Sequence, residues 1–179
     1  MREFNTVKPI GSIYQNSFQL SSPRAKLESE DDRLVNILAY CLNQNHFHFI
    51  AEQTVDGGLS LFMSKLGSGY TQYFNHRYSR SGSLFQGKFK YIHIGSDAYL
   101  RHLSVYVNLN DRVHQLSSWR AKSSYSQYTN TKNGEKDYIV EHSDTILSHF
   151  DGAKAYGKYA MKTLREIKKR KEEYKRIGL

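Results

Sequence analysis

A single cysteine, Cys41, stands in the whole chain, so neither an internal disulfide framework nor a cysteine-rich zinc knuckle can be built. That scarcity favours a reducing, cytoplasmic setting. Long apolar runs are missing too: none could cross a bilayer, and the N-terminus MREFNTVKPI lacks the apolar core of a signal peptide, so no membrane partner is expected. Acidic residues are outnumbered, with 17 Asp and Glu against 26 Lys and Arg, a net charge of +9 and a pI near 9.5. A polyanionic partner follows, nucleic acid first, because clustered cations gain affinity for phosphates by releasing counterions. What is present suffices for a core: 179 residues, 39% hydrophobic and 13% aromatic, predict one domain, or one with an appendage.

The charge is placed unevenly. From Lys154 to Leu179 there are ten Lys or Arg and three Glu, the largest share of the net charge. This tail reads as a helix, with Tyr156, Ala160, Leu164, Ile167 and Tyr174 recurring near helical spacing. Its cations, Lys168, Lys169 and Arg170 among them, form either a solvated face or a phosphate-contacting arm.

Upstream, LVNILAYCL (34–42) is rich in branched and aromatic residues and reads as a buried strand, NQN as a turn, and HFHFIAEQ (46–53) as the second strand of a hairpin. Leu59, Phe62, Met63, Leu66, Tyr70, Tyr73 and Phe74 follow one helix face, a core stripe that Gly67 and Gly69 either weaken or adapt for close packing. LFQGKFKYIHI (84–94) alternates, Lys88 and Lys90 on one face and Phe89 and Tyr91 on the other, and predicts a basic strand fit to lie along a phosphate backbone. Ser96 is a good N-cap for a helix DAYLRHLSVYVNLN, with Asp97 well placed against its dipole.

On a strand His46 and His48 share one face, so two imidazoles stand side by side. They suit a metal ion or a phosphate, and equally two surface histidines. On the helix, Tyr106 and Asn110 lie one turn apart, with His102 a turn earlier. Two neutral imidazoles and a carboxamide oxygen make a site for a divalent cation, Mg²⁺ or Mn²⁺, that polarises a phosphodiester. A nearby tyrosine can attack phosphorus and store the bond as a phosphotyrosine. The bland alternative is structural histidines beside one ordinary tyrosine among fourteen.

YCLNQNHFHFIAEQ, then GYTQYFNHRY, RSGSLFQGKFKYIHI and DAYLRHLSVYVNLNDRV, in that order between Leu34 and Val113, resemble the HUH single-tyrosine transposases, especially their REP-associated relatives. The resemblance implies an α+β fold: a ferredoxin-like split-βαβ antiparallel sheet with helices on one face, acting as a homodimer on single-stranded, often hairpin-forming DNA. By it, His46 and His48 match the paired histidines, Tyr106 the nucleophile and Asn110 the third metal ligand. The tyrosine would join a 5′ phosphate and release a 3′ hydroxyl that later reverses the step, in a prokaryotic, nucleoid-associated setting. Arg80, Lys88 and Lys90 would help hold DNA, a looser inference.

Two departures stand out. Gln44 replaces the proline usual in the hairpin turn, and NQN remains good turn chemistry. The first βα unit looks shortened: SIYQNSFQL is a candidate strand, but SSPRAKLESEDD has no amphipathic face. The expected organisation is therefore a shortened N-terminal segment (1–33), a catalytic core (34–113), a polar loop with a short helical piece (114–152) and the basic helix (153–179). In the loop, Trp119, Tyr125 and Tyr128 either stack on unpaired bases or anchor it to the core. His142 and His149 have no ligand-like spacing. Besides a transposase, two alternatives fit: a catalytically reduced binder of DNA hairpins, and a basic RNA-binding module with structural histidines.

Overall fold

The run of Val, Ile, Leu and Tyr after Leu34 forms strand β1 (Val35–Leu42), buried along almost its whole length. In the computed structural model, which describes residues 4–8, 32–116, 121–130, 139–140 and 142–177, it is the middle strand of a three-stranded sheet. Strand β2 (Phe47–Gln53) follows after only four residues, which forces the pair to be antiparallel, and the Asn43 N–H donates to His46 O at 2.9 Å to close the turn. On the other side lies β3 (Lys122–Ser123), antiparallel to β1 with Cys41 opposite Ser123 and Leu42 opposite Lys122.

The expected basic strand at 84–94 does not form. Those residues are irregular, with Tyr91 and Ile92 74% and 72% exposed. Alternation describes the two faces a strand would have, not the neighbour whose backbone completes its ladder, and among the described residues no strand pairs with this segment. The two-residue β3 sits instead in a stretch expected to be loop. The α+β class and the antiparallel sheet are as expected.

Contacts divide the chain into two compact units, one of Met1–Asn36 and Glu52–Ile92, the other of Ile37–Ala51 and His93–Leu179. In the first, the Asn5 carboxamide accepts from Leu34 N and Val35 N (3.1 and 2.9 Å) and donates to Val35 O (2.6 Å), filling backbone bonds at the start of β1. Helix α1 (Gly58–Arg77) follows Gly57, which holds φ +67°. Gly58 is required by contact: a Cβ there would lie 2.3 Å from Leu34 O. Phe62 and Leu66 are buried, but Tyr70 and Tyr73 are 44% and 42% exposed, so the expected core stripe holds only in the first half of the helix. Gly67 has open space around it, which rules out close packing as its reason. The candidate strand SIYQNSFQL and the segment SSPRAKLESEDD, apart from Asp32, lie outside the described residues.

In the second unit, the Ser96 hydroxyl accepts from Tyr99 N at 3.3 Å and starts α2 (Asp97–Asn108), as its capping chemistry predicts. The helix does not run unbroken to residue 110: Leu109 departs from helical geometry (φ −115°, ψ 23°) and α3 (Asn110–Val113) resumes the spiral. The side chains flanking the break are held by different partners. Asn108 donates to Tyr156 Oη at 2.8 Å and accepts from the Ser124 hydroxyl, while Asn110 accepts from Asn43 at 2.9 Å. Short helices α4 (Tyr125–Thr129) and α5 (Asp144–Leu147) precede the basic helix α6 (Ala153–Arg176). Tyr156, Ala160, Thr163 and Leu164 bury its inner face; Tyr174, expected to continue the stripe, is half exposed. Tyr128 is fully buried against Tyr156 (ring centroids 5.0 Å) with its hydroxyl on Leu38 O, so it anchors its segment to the core. Trp119 lies outside the described residues.

Candidate active site

The hairpin turn and the α2–α3 break meet within the second unit, and the side chains that they bring together all belong to it. Period-two geometry brings the His46 and His48 rings to 5.2 Å, edge to face. His48 faces Tyr106 across 5.9 Å, and His46 faces Asn110, whose Oδ1 lies 3.3 Å from His46 Nε2. The four residues singled out in the sequence are thus gathered within one chain. Arg80, Lys88 and Lys90 belong to the other unit; Arg80 lies over the Phe74 ring at 5.6 Å, and both lysines are exposed.

Three further residues at the site were not anticipated. Asn43, in the turn, donates through one Nδ2 to Asn110 Oδ1 (2.9 Å) and stands 3.0 Å from His46 Nε2, between the two acceptors. Its own Oδ1 faces the Cys41 thiol at 3.6 Å, which orients the amide. His114 completes a ring cluster, 6.3 Å from both His46 and Tyr106, with Nε2 3.3 Å from Tyr106 Oη. Lys171 of α6 reaches His114 Nδ1 at 2.9 Å. The ladder Tyr106, Asn110, His114 at intervals of four is visible in the sequence; the reach of Lys171 is not.

Burial holds His48 below the ordinary imidazole range, helped by His46 and His114. Burial also lowers His114, with Lys171 and His46 adding to the effect. Neutral imidazoles keep a lone pair for a ligand. The Cys41 thiol beneath is pushed up to about 11 by burial, which keeps it protonated and inert.

The donor set can be tested against a divalent cation. Among the described residues no three His, Cys, Asp or Glu side chains gather closely enough to hold a metal, so an amide oxygen has to complete any such set. Asn110 supplies one: it is fully buried, its Oδ1 converges with His46 Nε2, and its own Nδ2 is buried with no partner among the described residues. An N–H group of Asn43 occupies the position between those acceptors, where positive charge is favoured. Two imidazoles and a carboxamide oxygen fit a borderline divalent ion.

A second feature lies along α6. Lys154, Lys158, Lys162 and Arg165 line one groove of about 500 Å³ with Tyr125 and Thr129, and among the described residues no acidic side chain shares the lining. The Arg112 guanidinium lies over the Tyr125 ring at 5.2 Å. Of the cations expected in the tail, Lys169 pairs with Glu173 at 4.0 Å and Arg170 is exposed.

The site and sheet define an α+β domain carrying a phenol among imidazoles and a buried carboxamide. The model of the family described as IS200-like transposase matches residues 12–110, and the chain belongs to that family. Its function is accordingly that of a transposase in DNA transposition, and no helix among the described residues is long and apolar enough to cross a membrane. Comparison with curated proteins and with solved structures gave no match.

Proposed function

We propose that the protein cleaves and rejoins one strand of single-stranded, hairpin-forming DNA through a covalent bond to Tyr106. The observation that carries this reading is the 5.9 Å approach of the Tyr106 ring to His48, beside the His46 and Asn110 pair, in a chain of the transposase family. Tyr106 Oη attacks the phosphorus, an O–P bond forms, and the P–O3′ bond breaks. The electron pair leaves on the 3′ oxygen, which takes a proton from water, while the phenol proton passes to water. The product is a 5′-phosphotyrosine and a free 3′ hydroxyl. Because one phosphodiester is exchanged for another, rejoining needs no nucleotide.

His46, His48 and Asn110 would hold a divalent metal, Mg²⁺ or Mn²⁺, which when bound polarises the phosphodiester as a Lewis acid. Asn43 would yield its position between the two acceptors. DNA would be tracked by Lys168, Lys169 and Arg170, by the groove row Lys154, Lys158, Lys162 and Arg165, and by Arg80, Lys88 and Lys90. A homodimer is part of the same reading.

The test is a denaturing gel of the protein with labelled single-stranded hairpin DNAs from the flanks of its own gene, with Mg²⁺ or Mn²⁺. The expected outcome is a labelled protein band that requires metal and vanishes in Tyr106→Phe. Binding without an adduct would assign a hairpin-binding protein, and preference for RNA of the same sequence with indifference to EDTA would assign an RNA-binding module.

A further inference from the structure

His114 and Lys171 lie beyond the segment matched by the family, and the chemistry above leaves both unused. His114 is held at the end of α3, its N–H donating to Asn110 O at 3.0 Å. Lys171 meets it from α6, 57 residues away in the chain.

The direction of these bonds follows from what each group is able to do. A lysine ammonium only donates, so its 2.9 Å contact makes His114 Nδ1 the acceptor, with no hydrogen of its own. An imidazolium would set two donors and two cations against each other there. The single ring hydrogen is therefore on Nε2, the nitrogen 3.3 Å from Tyr106 Oη. With its lone pair occupied by Lys171, His114 is unable to take the phenol's proton. It is a donor pointed at the oxygen that carries negative charge once the phenol proton leaves, before its electron pair passes into the new O–P bond, and on which charge collects again when tyrosine departs in rejoining.

Resting on the transposase reading above, we propose that His114 is a catalytic hydrogen-bond donor to the Tyr106 oxygen, and that Lys171 is a positioning residue that fixes the His114 tautomer. The donor adds no atom to the reaction: the phenol proton still leaves to water, and the same hydrogen bond serves cleavage and rejoining. Donors preorganised toward a developing oxyanion act in this way, and the exposure of His114 places the effect below their usual range of about 10²–10³.

The test combines single-turnover adduct formation at saturating hairpin DNA with ¹⁵N-histidine NMR of the metal-free full chain. In wild type the NMR pattern of His114 is expected to be that of the Nε2–H form. His114→Ala should slow adduct formation about tenfold at an unchanged half-saturating DNA concentration, while His114→Gln, whose side-chain N–H can still donate, keeps most of the rate. Lys171→Met should slow it about threefold and mix the tautomers, and Lys171→Arg should restore both. An Nδ1–H pattern in wild type overturns the proposal whatever the activity. Adduct formation at the wild-type rate in His114→Ala overturns it and leaves the transposase reading intact. An Nε2–H pattern with no wild-type adduct on any hairpin overturns the transposase reading, and the catalytic role falls with it.

Discussion

Tyr156 is a fully buried residue whose hydroxyl accepts from Asn108 at 2.8 Å, and burial pushes its phenol up to about 12. Tyr128, packed on it, is raised for the same reason. Above about pH 10 the unfolded chain ionises these phenols while the folded one keeps them protonated. The folded state then binds more protons, so stability falls as pH rises. For Tyr156 this amounts to about 2–3 kcal/mol lost progressively between about pH 10 and 12. The melting temperature should fall as pH rises through 10 to 12, on top of a loss from the raised Cys41 thiol that sets in near pH 9, and Tyr156→Phe should blunt the part of the drop above pH 10. An equally steep drop in that variant would refute the assignment. Single residues differ in legibility. The histidine pair and Tyr106 are readable because their spacings are local, two along a strand and four along a helix. Asn43 and Lys171 are not, because nothing in a turn asparagine or a tail lysine encodes which distant side chain it will meet.

Among the elements, α1 offers a paired test of two glycines. At Gly58 an added Cβ would strike Leu34 O, a backbone atom, so Gly58→Ala should cost about 1–3 kcal/mol. At Gly67 the surroundings are open, so Gly67→Ala should gain about 0.5–1 kcal/mol from helix propensity and a less flexible unfolded chain. Urea midpoints that move in opposite directions confirm the contrast; two decreases would mean that Gly67 is also packed. Helix and hairpin positions were readable because apolar periodicity and the Ser96 cap act within a few residues. The segment 84–94 was misread because strand pairing is a property of two segments, and its alternation carries no information about a partner. The break at Leu109 was invisible for a similar reason: it is flanked by Asn108 and Asn110, whose partners lie 48, 16 and 67 residues away.

For the whole molecule the +9 charge sets affinity for a polyanion and makes it depend on salt. Changing Lys154, Lys158 and Lys162 together to Gln should weaken binding to a single-stranded hairpin across sequences. It should also reduce the slope of log affinity against log salt by about 2, since each lost phosphate contact removes roughly 0.7. A filter-binding salt series checks this, with Lys168, Lys169 and Arg170 changed to Gln as the comparison. An unchanged slope in the first triple variant would remove the groove row from the DNA track.

By itself the sequence determined the family, the α+β class and the basic helix, and it singled out His46, His48, Tyr106 and Asn110 as one candidate group, because each is written in spacing, composition or an ordered series of motifs. Only the tertiary structure decided which strand completes the sheet, that Asn43 bridges His46 and Asn110, and that a lysine from the tail reaches the histidine beside Tyr106. The β1–β3 pairing, the Asn43–Asn110 bond and the Lys171–His114 contact join residues dozens of positions apart, and hydrogen-bond complementarity between such residues acts only once packing has brought them together.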